Sequence, residues 1–193
     1  QRGTPFLYQG DELGMTNHQF LKISDFRDVE SLNLYEQLRN EMTDVEILDI
    51  LNAGSRDQGR CVMIWDNSIY GGFSNKEPWI WPTGRNMVKP ASEQMEEEDS
   101  VFQFYKNLLR FRKENACIHY GETRFYGEKK KDQFAYTRHD NQVTYYVHCN
   151  LSEKEVPFKP YVSCDSLLIS NYREIESFVL KPYEGRIYQR TEK

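Results

Sequence analysis

Near Gly121 the sequence changes its period, and that change limits the folds open to this chain more than any other feature. Upstream, apolar residues recur at helical spacing. Val29, Leu32, Leu34, Tyr35 and Leu38 follow Asp25 or Asp28, either of which can cap a helix. Thr43 and Glu46 form a capping box before Val45, Ile47, Leu48, Ile50 and Leu51, so two short antiparallel helices are expected. Val101, Phe104, Tyr105, Leu108 and Phe111 predict a third helix over residues 100–115, capped by Asp99 or Ser100, with Arg110, Arg112 and Lys113 complementing its dipole. Downstream, apolar and polar residues alternate. Strands are expected at residues 123–126, 133–138 and 143–149, with others near 156–158, 166–170 and 186–189. Six or more short strands in about 70 residues, uninterrupted by a helical period, argue for an antiparallel β-sandwich.

Composition narrows the classes. A chain of 193 residues, 38% hydrophobic, can bury one good core or two small ones. A net charge of −5 disfavours a nucleic-acid partner, because phosphate binding needs a concentrated basic face. Lys129, Lys130 and Lys131 form the only basic run, and a hairpin tip suits them. No apolar stretch approaches the roughly 20 residues of a membrane helix, and no signal segment precedes the first strand, so a soluble protein without a membrane partner is expected. Cys61, Cys117, Cys149 and Cys164 show neither metal-ligand spacing nor disulfide-scaffold density, which suits reduced thiols in a cytoplasmic protein. His18, His119, His139 and His148 lack zinc-site spacings, so neither metal nor cofactor is expected.

Three stretches carry candidate chemistry. Residues 3–17 read Gly-Thr-Pro-Phe-Leu-Tyr-Gln-Gly-Asp-Glu-Leu-Gly-Met-Thr-Asn. Pro5 through Tyr8 predict one brief buried strand, after which Gly10 and Gly14 swing Asp11 and Glu12 over the strand's end, where barrel enzymes keep their chemistry. Residues 78–82, Pro-Trp-Ile-Trp-Pro, form an extended aromatic stretch that offers Trp79 and Trp81 either as packing residues or as stacking faces for a ligand. The acidic run of residues 93–99 reads as a solvated surface segment before a helix, because neighbouring carboxylates there keep ordinary pKa values.

Residues 3–17 resemble the eighth strand and following loop of the α-glucosidases of glycoside hydrolase family thirteen. The likeness continues through Asp25-Phe26-Arg27-Asp28-Val29-Glu30-Ser31-Leu32-Asn33 and Ser55-Arg56-Asp57. It returns at Pro78-Trp79-Ile80 and Leu168-Ile169-Ser170-Asn171-Tyr172. The resemblance implies the terminal part of a (β/α)8 barrel over residues 1–118, comprising last strand, loop helices and last helix, and a β-sandwich domain over residues 119–193. It also implies that the nucleophile, acid/base and third carboxylate lie upstream, so the chain has no catalytic residue of its own. Gln1 and Arg2, in place of an initiator Met, fit a truncated or processed terminus.

Where the family usually carries Arg-Thr-Pro-Met-Gln-Trp, this chain has Arg60-Cys61-Val62-Met63-Ile64-Trp65. The family's Arg pairs with an upstream Asp and helps hold a glucose hydroxyl. Arg60, with Arg56 and Glu12, is therefore the expected substrate-binding set, and a salt bridge that only closes the loop is the alternative for Arg60. The expected function is that of a C-terminal fragment of a retaining α-glucosidase acting on short, isomaltose-type α-glucosides. A non-catalytic carbohydrate-binding or interaction module built on the sandwich is the alternative. Because a lone barrel strand leaves its backbone unpaired, residues 1 to about 100 are expected to be mobile, self-associated with another copy, or packed on the sandwich.

Overall fold

The computed structural model describes residues 2–81, 88–126, 130–159 and 166–191. Lys129 of the basic run, Pro82 and Cys164 lie outside them. The chain forms two compact units: residues 6–105, and residues 106–193 together with residues 1–5.

In the unit of residues 6–105, helix α1 spans Val29–Leu38 and α2 spans Asp44–Gly54. Asp28 caps α1 by accepting from the Ser31 N–H at 3.3 Å. The Thr43–Glu46 box caps α2 in both directions. Ile47 and Leu51, one turn apart on α2, are buried with Phe20, Phe26, Cys61 and Ile80. Leu34, Tyr35, Leu38, Met42 and Leu48 pack against that cluster. Val29, Val45 and Ile50, also on the sequence's apolar stripes, remain exposed. The stripes are thus wider than the core they meet.

One expectation fails here. Residues 4–8 form no strand, and Phe6, Leu7 and Tyr8 are exposed, Phe6 at 92%. No described strand lies in this unit to pair with them, and a ladder needs a neighbour. The acidic run keeps its carboxylates exposed ahead of the next helix, as expected of a solvated surface segment, and its first half lies in α3, Ala91–Glu96. Gln94 is buried there and ties the helix down, donating to the Leu13 carbonyl at 2.9 Å and the Lys89 carbonyl at 2.8 Å.

Helix α4 spans Val101–Glu114, and Ser100 caps it by accepting from the Gln103 N–H at 3.1 Å. No residue of α4 is fully buried, despite its apolar face. α5 spans Ala116–Tyr120.

In the other unit, β1 (Glu122–Tyr126), β2 (Gln133–His139), β3 (Val143–Asn150), β5 (Ser166–Ser170) and β7 (Gly185–Thr191) form one antiparallel sheet ordered β1-β2-β3-β7-β5. The predicted strands appear in place, each shifted by a residue or two at most. A further strand, β6 (Val179–Leu180), pairs with β4 (Val156–Pro157) in a separate two-stranded ladder. β6 is a strand through its pairing with β4, more than twenty residues earlier, which no local pattern marks. Val156, Phe158 and Leu180 form a cluster against which Tyr188 of β7 packs. Tyr145 and Tyr146 are buried, as core tyrosines should be, whereas Tyr183 is exposed.

A buried ion pair anchors this sheet. Glu184 and Arg186 are both fully buried, with Nε to Oε1 at 2.6 Å and Nη2 to Oε2 at 2.8 Å. Arg186 spends its remaining N–H groups on the carbonyls of Glu176 and Val179, both at 2.7 Å, and on the Tyr188 hydroxyl at 3.3 Å. Burial pushes the Glu184 carboxyl up, but the Arg186 hydrogen bond, the Lys181 N–H and the Arg186 charge outweigh it and leave it below its ordinary value.

Candidate functional site

The turn after residues 4–8 is shaped by two glycines. Gly10 (φ 96°) and Gly14 (φ 68°) occupy left-handed conformations flanking the 3-10 turn Asp11–Leu13. Asp11 Oδ2 accepts from the Tyr8 N–H at 3.1 Å, and Glu12 Oε2 from the Gly10 N–H at 2.9 Å. Both carboxylates therefore close their own turn. Burial first, and then the charges of Asp11 and Glu12, push the Tyr105 phenol up.

Arg56 and Arg60 converge on a pair of buried carboxylates at the start of α1. Ser55 ends α2 and opens a 3-10 turn, Arg56–Arg60, by accepting from the Asp57 N–H at 3.2 Å. That turn delivers Asp57, fully buried, under residues 27 and 28. Its Oδ2 accepts from the Arg27 N–H at 2.6 Å and the Asp28 N–H at 2.8 Å. Its Oδ1 accepts from Arg60 Nη1 at 3.1 Å. Asp28 Oδ1 in turn receives Arg56 Nε at 3.0 Å, Arg56 Nη2 at 2.9 Å and Arg60 Nη1 at 3.3 Å.

Two carboxylates thus share two guanidiniums, and the rigid forks of arginine suit such bridging. Burial raises the Asp28 carboxyl, yet the Arg56 hydrogen bond, the Ser31 N–H and hydroxyl, and the Arg56 charge together hold it below its usual range. It stays ionised at neutral pH. The Arg56 side chain remains 56% exposed and that of Arg60 35%, and the Arg60 guanidinium lies 5.9 Å from the centre of the exposed Trp79 ring.

Both carboxylates that Arg60 meets among the described residues, Asp28 and Asp57, belong to this chain. Glu12 does not join them. The Tyr8 hydroxyl, which donates to the Gly59 carbonyl, connects the glycine-bracketed turn to the residue before Arg60. Asp28 and Asp57 were visible in the sequence as a cap and as part of Ser55-Arg56-Asp57, but no local pattern says that they share partners.

The altered segment is packed rather than loose. Cys61, Val62 and Ile64, which replace Thr, Pro and Gln of the usual motif, are all buried. Apolar side chains at buried positions make a consistent exchange. Burial, then the Asp57 charge, pushes the Cys61 thiol up to about 12. Among the described residues no group of three or more His, Cys, Asp or Glu could hold a metal, and no helix is long and apolar enough to cross a membrane.

A family model described as "Alpha amylase, catalytic domain" matches residues 1–121, well over half of the chain. The chain belongs to the alpha-amylase family. Within it, the chain is 36% identical over 197 residues to the oligo-1,6-glucosidase of Halalkalibacterium halodurans, covering 97% of this chain and 35% of that protein. It is 36% identical over 200 residues to the trehalose-6-phosphate hydrolase of Bacillus subtilis, covering 98% and 36%. The crystal structure of Bacillus licheniformis trehalose-6-phosphate hydrolase superposes with a TM-score of 0.90 at 35% identity, covering 99% of this chain and 36% of that one. The isomaltulose synthase of Klebsiella gives 0.82 at 27% identity. The chain therefore spans about a third of the length of the alpha-amylase family proteins it matches. Its family is that of the α-glucosidases of glycoside hydrolase family thirteen.

Proposed function

We propose that this chain is the C-terminal portion of a cytoplasmic retaining α-glucosidase acting on short, isomaltose-type α-glucosides, with Arg60, Arg56 and Glu12 in its substrate-binding region. On this reading residues 1–118 are the last part of a (β/α)8 barrel and residues 119–193 a β-sandwich domain. The nucleophile, acid/base and third carboxylate lie in the upstream part, so the chain does not turn over substrate alone. Its exposed residues 4–8 are the segment through which it would self-associate.

The observation that carries the reading is the arginine–carboxylate network beside Trp79. Arg60 is held by Asp28 and Asp57 yet keeps part of its guanidinium in solvent, next to an indole face. A glucose hydroxyl suits the free N–H groups, and a pyranose face suits the indole. Glu12, bonded to its own Gly10, acts by shaping the turn rather than by direct contact.

The test combines turnover and binding on the 193-residue chain. No release of nitrophenol from p-nitrophenyl α-glucoside is expected, and isomaltose is expected to perturb the Trp79 indole signal by NMR in the native chain but not in Arg60→Ala. Turnover free of contaminating enzyme, or identical perturbation in Arg60→Ala, would refute the proposal.

A further inference from the structure

A second place in the unit of residues 6–105 has the character of a small-ligand site, and it shares no residue with the arginine–carboxylate network. Tyr70 adopts φ 52° and ψ 31°, a left-handed conformation that a bulky side chain adopts only when its surroundings impose it. The Gly71 carbonyl accepts from the N–H groups of Trp65 at 2.7 Å and Asp66 at 3.2 Å, and the Gly71 N–H donates to the Ser68 carbonyl at 3.0 Å. A Cβ on Gly71 would stand 2.8 Å from Ile64 Cδ1, and one on Gly72 would stand 2.5 Å from the Asp66 carboxyl carbon. The turn is therefore held from several sides in one conformation.

That ring meets Trp81 edge-on, with centroids 5.4 Å apart at 85°. The two aromatics, with Ile64, Asp66, Asn67 and Ser68, line a cleft of 330 Å³. This is at the lower end of the roughly 300–1,000 Å³ of small-molecule sites, so it suits a single ring rather than a chain. Its chemistry is divided. Its lining combines aromatic and aliphatic side chains with a carboxylate, an amide and a hydroxyl. Asp66 Oδ1 is held by the Ser68 N–H at 2.8 Å and by the Ser68 hydroxyl, and these hydrogen bonds keep the carboxyl below its ordinary value. Oδ2 remains available as an acceptor.

We propose that this cleft is a saccharide site, taking one neutral pyranose ring with its apolar face on one of the two perpendicular aromatic rings, its edge against the other, and its hydroxyls donating to Asp66 and Asn67. The fixed negative charge excludes phosphate and other anions. Strain at Tyr70 is then the cost of presenting an aromatic face in advance of binding, which spares the ligand the work of ordering it.

The experiment is a titration of the ¹⁵N-labelled 193-residue chain with methyl α-D-glucopyranoside and, separately, inorganic phosphate, read at the Trp81 indole and the Asn67 side-chain amide. The expected result is saturable shifts at both groups with the sugar, with a dissociation constant on the order of 1 mM, and none with phosphate. Tyr70→Gly removes the ring while relieving the backbone, so the variant keeps its fold, which its spectrum verifies, and loses about tenfold or more in affinity. Unmoved Trp81 and Asn67 at up to about 50 mM sugar overturn the proposal. Shifts confined to Trp79 overturn it too, while leaving the Arg60 reading intact. Equal response to phosphate, or undiminished binding by a folded Tyr70→Gly, also overturns it.

Discussion

Asp57 is the residue on which the candidate site hangs, and removing its carboxylate has a calculable local consequence. Every partner of that side chain is a donor: the Arg27 and Asp28 N–H groups at Oδ2, and Arg60 Nη1 at Oδ1. Asp57→Ala strands both N–H groups, the one on Asp28 buried and the one on Arg27 partly so. An unpartnered buried donor costs about 1–3 kcal/mol. Arg60 keeps Asp28, and its half-exposed bridge adds little. The expected local loss is therefore about 2–4 kcal/mol, or roughly 30- to 1,000-fold faster amide exchange at residues 27 and 28. Asp57→Asn behaves differently. Its one carbonyl oxygen can serve the two N–H groups, but its NH₂ then faces Arg60, so exchange at residues 27 and 28 changes little while the Arg60 guanidinium is released. Amide exchange by NMR on both variants checks this. Unchanged exchange in Asp57→Ala, or as much acceleration in the asparagine variant as in the alanine one, would refute the account.

Two further outcomes concern the antiparallel sheet. Arg186→Met leaves Glu184 buried without its partner and should cost about 3–5 kcal/mol, whereas a Glu184→Leu, Arg186→Met double variant should recover most of it; thermal unfolding of both variants measures this. Because the Glu184 carboxyl lies below its ordinary value, the pair's contribution is complete above about pH 4.3 and is lost as pH falls through the folded value. Burial, then the charges of Arg186 and Lys130, holds the His148 imidazole down to about 4. The unfolded chain therefore binds more protons between about pH 6.5 and 4, and stability falls by up to about 3 kcal/mol as pH drops through that window. His148→Gln should flatten that limb of the pH–stability curve, and imidazole NMR shifts should show a neutral ring down to near pH 4.

Local signals were legible wherever a run was long enough to express a period or a cap. The Thr43–Glu46 box, the Asp28 cap, α4, and the strands β1, β2, β3, β5 and β7 all follow from neighbours in sequence. β6 was not legible because what makes it a strand is its partner β4, more than twenty residues earlier. Residues 4–8 carry the composition of a buried strand, but composition cannot supply the neighbouring strand that a ladder requires. The same limit applies to the site. Arg56 and Arg60 could be singled out as candidates, yet their convergence on Asp28, some thirty residues earlier, is invisible to spacing.

By itself, then, the order of residues determined where helices start, where the alternating half begins, and which family the chain belongs to, because each depends on contacts within a few positions or on motif identity. Tertiary structure alone decided which carboxylates meet Arg60, that Cys61, Val62 and Ile64 are interior, and that Phe6 is bare. Those outcomes depend on groups far apart along the chain competing for the same buried donors and the same apolar volume, and that competition is resolved only when the chain is packed.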